Sequence, residues 1–174
     1  GSLSTILFDL QHGYFEVGIE EIDATLSGPT NDDICGTATH INFPNAINSK
    51  VDVDNQTNKC ATIELSTYPD PTTFSTDADV WYEFTTPNIA GPISVEIEVI
   101  SGLPWPFGDA IDPQIALYEG TCPNNFDLVE DSYSTFGLPF FERFEFHCLE
   151  ANKQYFLMVD GSGLNEQGNF NIDL

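Results

Sequence analysis

Asp77 and Asp79 stand two residues apart at the head of Val80-Trp81-Tyr82-Glu83-Phe84, a run whose aromatic and β-branched content reads as a strand. Carboxylates where a loop leads into a sheet are hard oxygen donors, the kind that calcium takes six to eight of at about 2.3–2.6 Å. The solvated-loop alternative is that both are simply exposed acids. Other chemistry-bearing residues are sparse. Cys35, Cys60, Cys122 and Cys148 form no C-x-x-C pair, and His12, His40 and His147 fall in unrelated segments, so zinc is not expected. Four cysteines without thiol motifs suit two disulfides in an oxidising compartment. Of the three connectivities, Cys35–Cys60 with Cys122–Cys148 is favoured because it closes two local loops, and free buried thiols are the alternative. Neither G-x-S-x-G nor H-E-x-x-H occurs, and no carboxylate pair is singled out for glycoside hydrolysis. A small hydrolase is therefore the least favoured reading.

Two further stretches invite a function. Asp52-Val-Asp54-Asn55-Gln56-Thr57-Asn58 begins like an EF-hand loop but has Thr57 in place of the sixth-position glycine and Ile63 in place of the last glutamate, so it reads as a polar loop. Trp105, held between Pro104 and Pro106 with Phe107 close by, could offer a flat platform to a sugar ring or an apolar side chain. The competing reading folds these aromatics back as a cap on the core. Phe136, Phe140 and Phe141 carry the same ambiguity.

Charge narrows the partners. Four basic residues against 28 acidic ones give a formal net charge of −24. A nucleic-acid partner is excluded on this balance, because phosphates are bound by Lys and Arg, and attraction to anionic lipid is disfavoured. No apolar run is long enough to span a bilayer, so no membrane insertion is expected. The length of 174 residues suits one domain with a real core. Gly1-Ser2 reads as a cloning scar.

The elements that must position these residues are strands. Residues 3–30 are expected to hold two strands broken at His12-Gly13. Gly13-Tyr-Phe15-Glu-Val17-Gly-Ile19 repeats the pattern of Gly168-Asn-Phe170-Asn-Ile172-Asp-Leu174. The first is thus either an extra strand of this domain or the closing strand of a preceding module in a tandem array. Further strands are expected near Thr37–Ile41, Ala61–Leu65, Val80–Thr86, Pro92–Ile100, Pro113–Glu119, Phe126–Val129, Phe140–Cys148, Gln154–Asp160 and Asn169–Leu174. Asn45–Lys59, Ser66–Thr76, Ser101–Ile111 and Asp131–Pro139 are expected loops. In Val80–Thr86, alternation places Val80, Tyr82 and Phe84 on one face and Trp81 and Glu83 on the other. Short strands at this spacing with no convincing helix indicate a β-sandwich or jelly roll.

Taken in order, Asn31-Asp-Asp-Ile-Cys35-Gly, Cys60-Ala61, Asp79-Val-Trp-Tyr-Glu-Phe84-Thr, Gln114-Ile-Ala-Leu-Tyr118-Glu-Gly-Thr-Cys122, Leu128-Val-Glu-Asp131, Gln154-Tyr-Phe-Leu-Met-Val-Asp160-Gly and Gly168-Asn-Phe-Asn-Ile form a recognisable series. Over residues 31–174 it resembles modules that recur in secreted and cell-surface proteins of gliding bacteria, which are similar to bacterial pre-peptidase C-terminal domains. The resemblance implies an all-β, jelly-roll-like sandwich of two antiparallel sheets, extracellular or at the cell surface, with no catalysis of its own. It implies a binding or adhesion module whose partner is a polysaccharide or an extracellular protein, flanked by neighbouring modules of the same chain. The alternative is a spacer in a tandem array with no ligand of its own. Calcium is the implied cofactor, with Asn31, Asp32, Asp33, Asp77 and Asp79 at the matching ligand positions.

Overall fold

A computed structural model of the chain describes residues 34–46, 48–62, 68–72, 76–101, 111–131, 142–163 and 166–174, together with the backbone of 4–10, 13–19, 132 and 141. β1 (Ser4–Leu10) and β2 (Gly13–Ile19) pair antiparallel as a two-stranded sheet. A 3-10 turn at Cys35–Thr37 leads to β3 (Thr39–Ile41) and β4 (Asp52–Thr57). There follow β5 (Val80–Thr85), β6 (Ile93–Ser101), β7 (Pro113–Thr121), β8 (Asn125–Ser132), β9 (Phe141–Leu149), β10 (Gln154–Gly161) and β11 (Asn169–Asp173).

Two sheets form the sandwich, ordered β3-β5-β10-β7-β8 and β4-β11-β6-β9. From β4 to β11 the chain changes sheet at every step except the β7–β8 hairpin, which is the connectivity of a jelly roll. Both sheets are antiparallel apart from the edge strand β3, which runs parallel to β5.

Alternation decides what lies between the sheets. Strand β6 alternates buried and exposed along most of its length, sending Ile93, Val95, Ile97 and Val99 inward, where they meet Val80, Tyr82 and Phe84 of β5 and Leu157 and Val159 of β10. The outer face of the five-stranded sheet is also buried. There Trp81, Ala116, Tyr118, Phe126, Phe156 and Met158 form a second core with Tyr68 and Cys35. β5 is therefore buried on both faces at Val80, Trp81, Tyr82 and Phe84, as a central strand covered on both sides must be, with only Glu83 half-buried and bonded to Gln154. Trp81 sits 5.0 Å from Tyr68, 5.3 Å from Tyr118 and 5.7 Å from Phe126, ring centre to ring centre.

The cysteines pair otherwise than the sequence suggests. Cys35 is bonded to Cys122 across a separation of 87 residues, while Cys60 and Cys148 are free and exposed. Cys35 lies on the turn that covers the second core, and Cys122 lies in the β7–β8 turn packed against the same cluster. Cys60 follows β4 and Cys148 lies in β9, the opposite edges of the four-stranded sheet. Three strand spacings of about 4.8 Å part those edges, well beyond the reach of about 7 Å between Cα atoms that a disulfide allows.

β4 corrects the expected loop at 45–59. It is an edge strand, polar and largely exposed, with Val53 half-buried as its one apolar residue and a register shift opposite Phe170 and Ile172, so it lacks an alternating apolar signal. The expected strand at Ala61–Leu65 lies mostly outside the described residues.

Candidate functional site

Asp77 and Asp79 do reach the mouth of β5, and the fold adds two residues that the sequence did not mark. Asp160 is the penultimate residue of β10 and faces Gln114 of β7 in register. Val80 pairs with Val159 one step earlier, so Asp79, Asp160 and Gln114 make a row across three adjacent strands at the end of the second core. Asp79 and Asp160 are 0% exposed and Gln114 is 1% exposed.

Most of this row is structural. Asp79 Oδ2 accepts from Trp81 Nε1 at 2.7 Å and from the Tyr68 hydroxyl at 3.4 Å, so it anchors the aromatic cluster. Asp160 accepts from the backbone N–H groups of Asp77, Ala78 and Gly161 at 2.8, 3.5 and 2.7 Å, which pins the loop that leads into β5. Burial pushes the Asp160 carboxyl up to about 7; the N–H groups of Asp77 and Gly161 pull it down and the charges of Asp77 and Asp79 add to the rise. Gln114 is different, because neither its Oε1 nor its Nε2 has a hydrogen-bond partner. Asp77 is half-buried beside the row.

The donors are therefore hard oxygens, as calcium requires, but among the described residues no three acidic, histidine or cysteine side chains converge to hold a metal. Of the expected ligands, Asp77 stands beside this row, and Asn31, Asp32 and Asp33 lie outside the described residues. Asp79 is tied into the aromatic cluster. Asp79→Ala is accordingly expected to cost about 2 kcal/mol by stranding a buried indole N–H. Urea unfolding should show the same loss in chelator as in calcium. A loss confined to calcium-loaded protein would instead make Asp79 a ligand.

The second candidate is an open groove of about 720 Å³ on the four-stranded side of the sandwich. Phe43, Pro87, Ile89 and Pro92 supply the apolar part of its lining, and Lys50, Arg143, Glu96, Glu98 and Asp173 line it as well; Lys50 and Arg143 are its cations. These are two of the four basic residues of the chain. Each is held by carboxylates, Lys50 by Asp52 and Asp173 at 2.9 and 3.0 Å, Arg143 by Glu96 and Glu98 at 3.4 and 3.2 Å. The groove joins residues 43, 46 and 48–50 and the 87–92 loop to β6, β9 and the chain end, a convergence that no local spacing reveals. Trp105 and Phe107 lie outside the described residues, as do Phe136 and Phe140.

A serine, a histidine and a glutamate also meet on the exposed face, although the sequence treats the histidines as scattered. Ser94 Oγ lies 3.1 Å from His147 Nδ1, and Glu145 Oε1 lies 3.6 Å from the same atom. A nucleophile–base–orienter relay needs serine and carboxylate on opposite ring nitrogens. This trio shares one, and it reads as a surface contact.

Among solved structures the chain is similar to the pre-peptidase C-terminal domain of a collagenase from Bacillus anthracis, with 12% sequence identity, a TM-score of 0.41, and coverage of 78% of this chain and 91% of that one. No family model matches the chain, and no curated protein matches it.

Proposed function

We propose that this chain is a non-catalytic binding module of a larger secreted or cell-surface protein, and that it recognises a polysaccharide or an extracellular protein surface. The observation that carries this reading is the groove beside β6. It sets apolar side chains beside polar and ion-paired ones, a mixture that can both hold and orient a partner. The Cys35–Cys122 bond supports an oxidising compartment. Among the described residues no helix is long and apolar enough to cross a membrane. The strong acidity keeps nucleic acid off the list of partners.

The test is retention of the purified chain on insoluble polysaccharides and on immobilised extracellular-matrix proteins. Ile89→Asp, which puts a charge into the apolar lining, should reduce retention at least tenfold, whereas Trp105→Ala should leave it intact. The reverse pattern would move recognition to the 102–110 loop. No retention of the wild type on any matrix would favour the spacer reading.

Calcium belongs to the same proposal as a stabiliser of the lead-in to β5, held by Asp77 with Asn31, Asp32 and Asp33. Binding the folded state alone at 100 times Kd would add about 2.7 kcal/mol. For a chain of this length that raises Tm by roughly 5–10 °C. An unchanged Tm between excess calcium and chelator would remove the metal from the proposal.

A further inference from the structure

The groove has the geometry of a missing strand. β11 lies between β4 and β6, and its last pair on β6 is Asp173 with Glu98. The chain end then exchanges two backbone bonds with Val51, Leu174 N–H to the Val51 carbonyl at 2.9 Å and the return bond at 2.8 Å. β6 runs on past that point to Ile93. Over Ile93–Ile97 it is paired with β9 on one side, and among the described residues no strand pairs with it on the other. Residues 46 and 48–50 line the far side of the groove, where β4 would continue.

The direction of the free backbone groups follows from the ladder. Leu174 bonds to β4, so by antiparallel alternation Asp173 bonds to Glu98, and the N–H and C=O groups of Glu98 face β11. Two and four residues away, those of Glu96 and Ser94 face the same way, into the groove. At about 3.3 Å per residue the unpaired edge is roughly 15 Å long, room for four or five residues. An unpaired edge of this kind is a template for strand addition.

We propose that the groove accepts an extended polypeptide strand, laid between β6 and residues 48–50 in continuation of β11. The proposal rests on the recognition reading above and narrows it to a peptide ligand. Its chemistry is set by the two faces of the slot. Residues of the guest that point inward meet Phe43, Ile89, Ile93 and Val95, so aliphatic side chains fit there. Residues that point outward lie beside Glu96 and Glu98, which share Arg143, and across from Lys50 with its partners Asp52 and Asp173; four carboxylates against two cations leave this face net negative, so Lys or Arg fit there. The guest is thus an alternating basic–aliphatic strand.

The test uses the full chain, labelled with 15N, and two synthetic heptapeptides with blocked ends, Lys-Val-Lys-Val-Lys-Val-Lys and its glutamate counterpart. The lysine peptide should bind, slow amide exchange at Ser94 and Glu96 at least tenfold, and weaken steeply with salt, while the glutamate peptide should not bind. N-methylating alternate residues of the lysine peptide should reduce binding at least tenfold in one of the two registers, with no change to the protein. Resonance shifts at Phe43 and Ile89 without slowed exchange at Ser94 and Glu96 would overturn strand addition and leave the recognition groove standing. No shifts at the groove at millimolar peptide would overturn the inference, with matrix retention still deciding the broader reading. A concentration-dependent dimer that slows the same two amides without peptide would assign the slot to a second copy and overturn the foreign strand.

Discussion

Trp81→Ala is expected to lower the unfolding free energy by about 3–5 kcal/mol, the range for removing a buried aromatic without collapse of its site. Trp81 is 0% exposed and touches three other rings of the second core, and its indole N–H is satisfied by Asp79. The substitution therefore leaves a cavity and also strips a carboxylate that is 0% exposed of its best donor. For 174 residues this should appear as a fall in Tm of roughly 10 °C or more. Trp81→Phe keeps most of the volume and loses the donor, so it should cost less than half as much. Val129, 36% exposed on β8, is the control, and its change to Ala should stay within about 0.5 kcal/mol. If Trp81→Ala behaved like the control and instead abolished ligand retention, the outer face of the five-stranded sheet would be an open binding surface rather than a covered core.

Opening the Cys35–Cys122 bond is expected to have a comparable effect. Closing a loop of this length removes denatured-state entropy worth on the order of 4–5 kcal/mol, against about 3–4 kcal/mol for a link between positions 35 and 60. Cys35→Ser with Cys122→Ser should thus lower the urea midpoint as strongly as a reductant does, and the double variant should be insensitive to reductant. Under native conditions without reductant, a thiol reagent should modify Cys60 and Cys148, both exposed, and spare the other two. Peptide mapping that recovered Cys35 linked to Cys60 would restore the local pairing favoured by the sequence.

The difference between those pairings shows where the sequence stops being informative. Alternation is a local signal, and it was enough to place β5, β6 and β10 and to assign Val80, Tyr82 and Phe84 to one core. It was also enough to put Trp81 on the other face, but not to say that Tyr68 and the Cys35 turn would cover it, since that depends on segments distant in the chain. Cysteine pairing depends on the same crossing, so the shortest loops misled. β4 was invisible because an edge strand needs little apolar content. Asp79 illustrates a subtler gap: its position at the strand mouth was legible, while its bond to the indole two residues on depends on the rotamers of a packed face. Gln114 and the β6 groove carry no motif, and only the registers β7–β10 and β6–β11 bring them into view.

Recognition at the β6 groove, with the opposite face of the molecule closed by its second core, is tested most directly by chemical-shift mapping of the 15N-labelled chain with a soluble fragment of whichever matrix retains it. Perturbations should concentrate at Phe43, Ile89, Ser94 and Glu96, with Trp81, Tyr118 and Phe126 unmoved. Perturbations centred on the second core or on the 102–110 loop, with the groove silent, would contradict it.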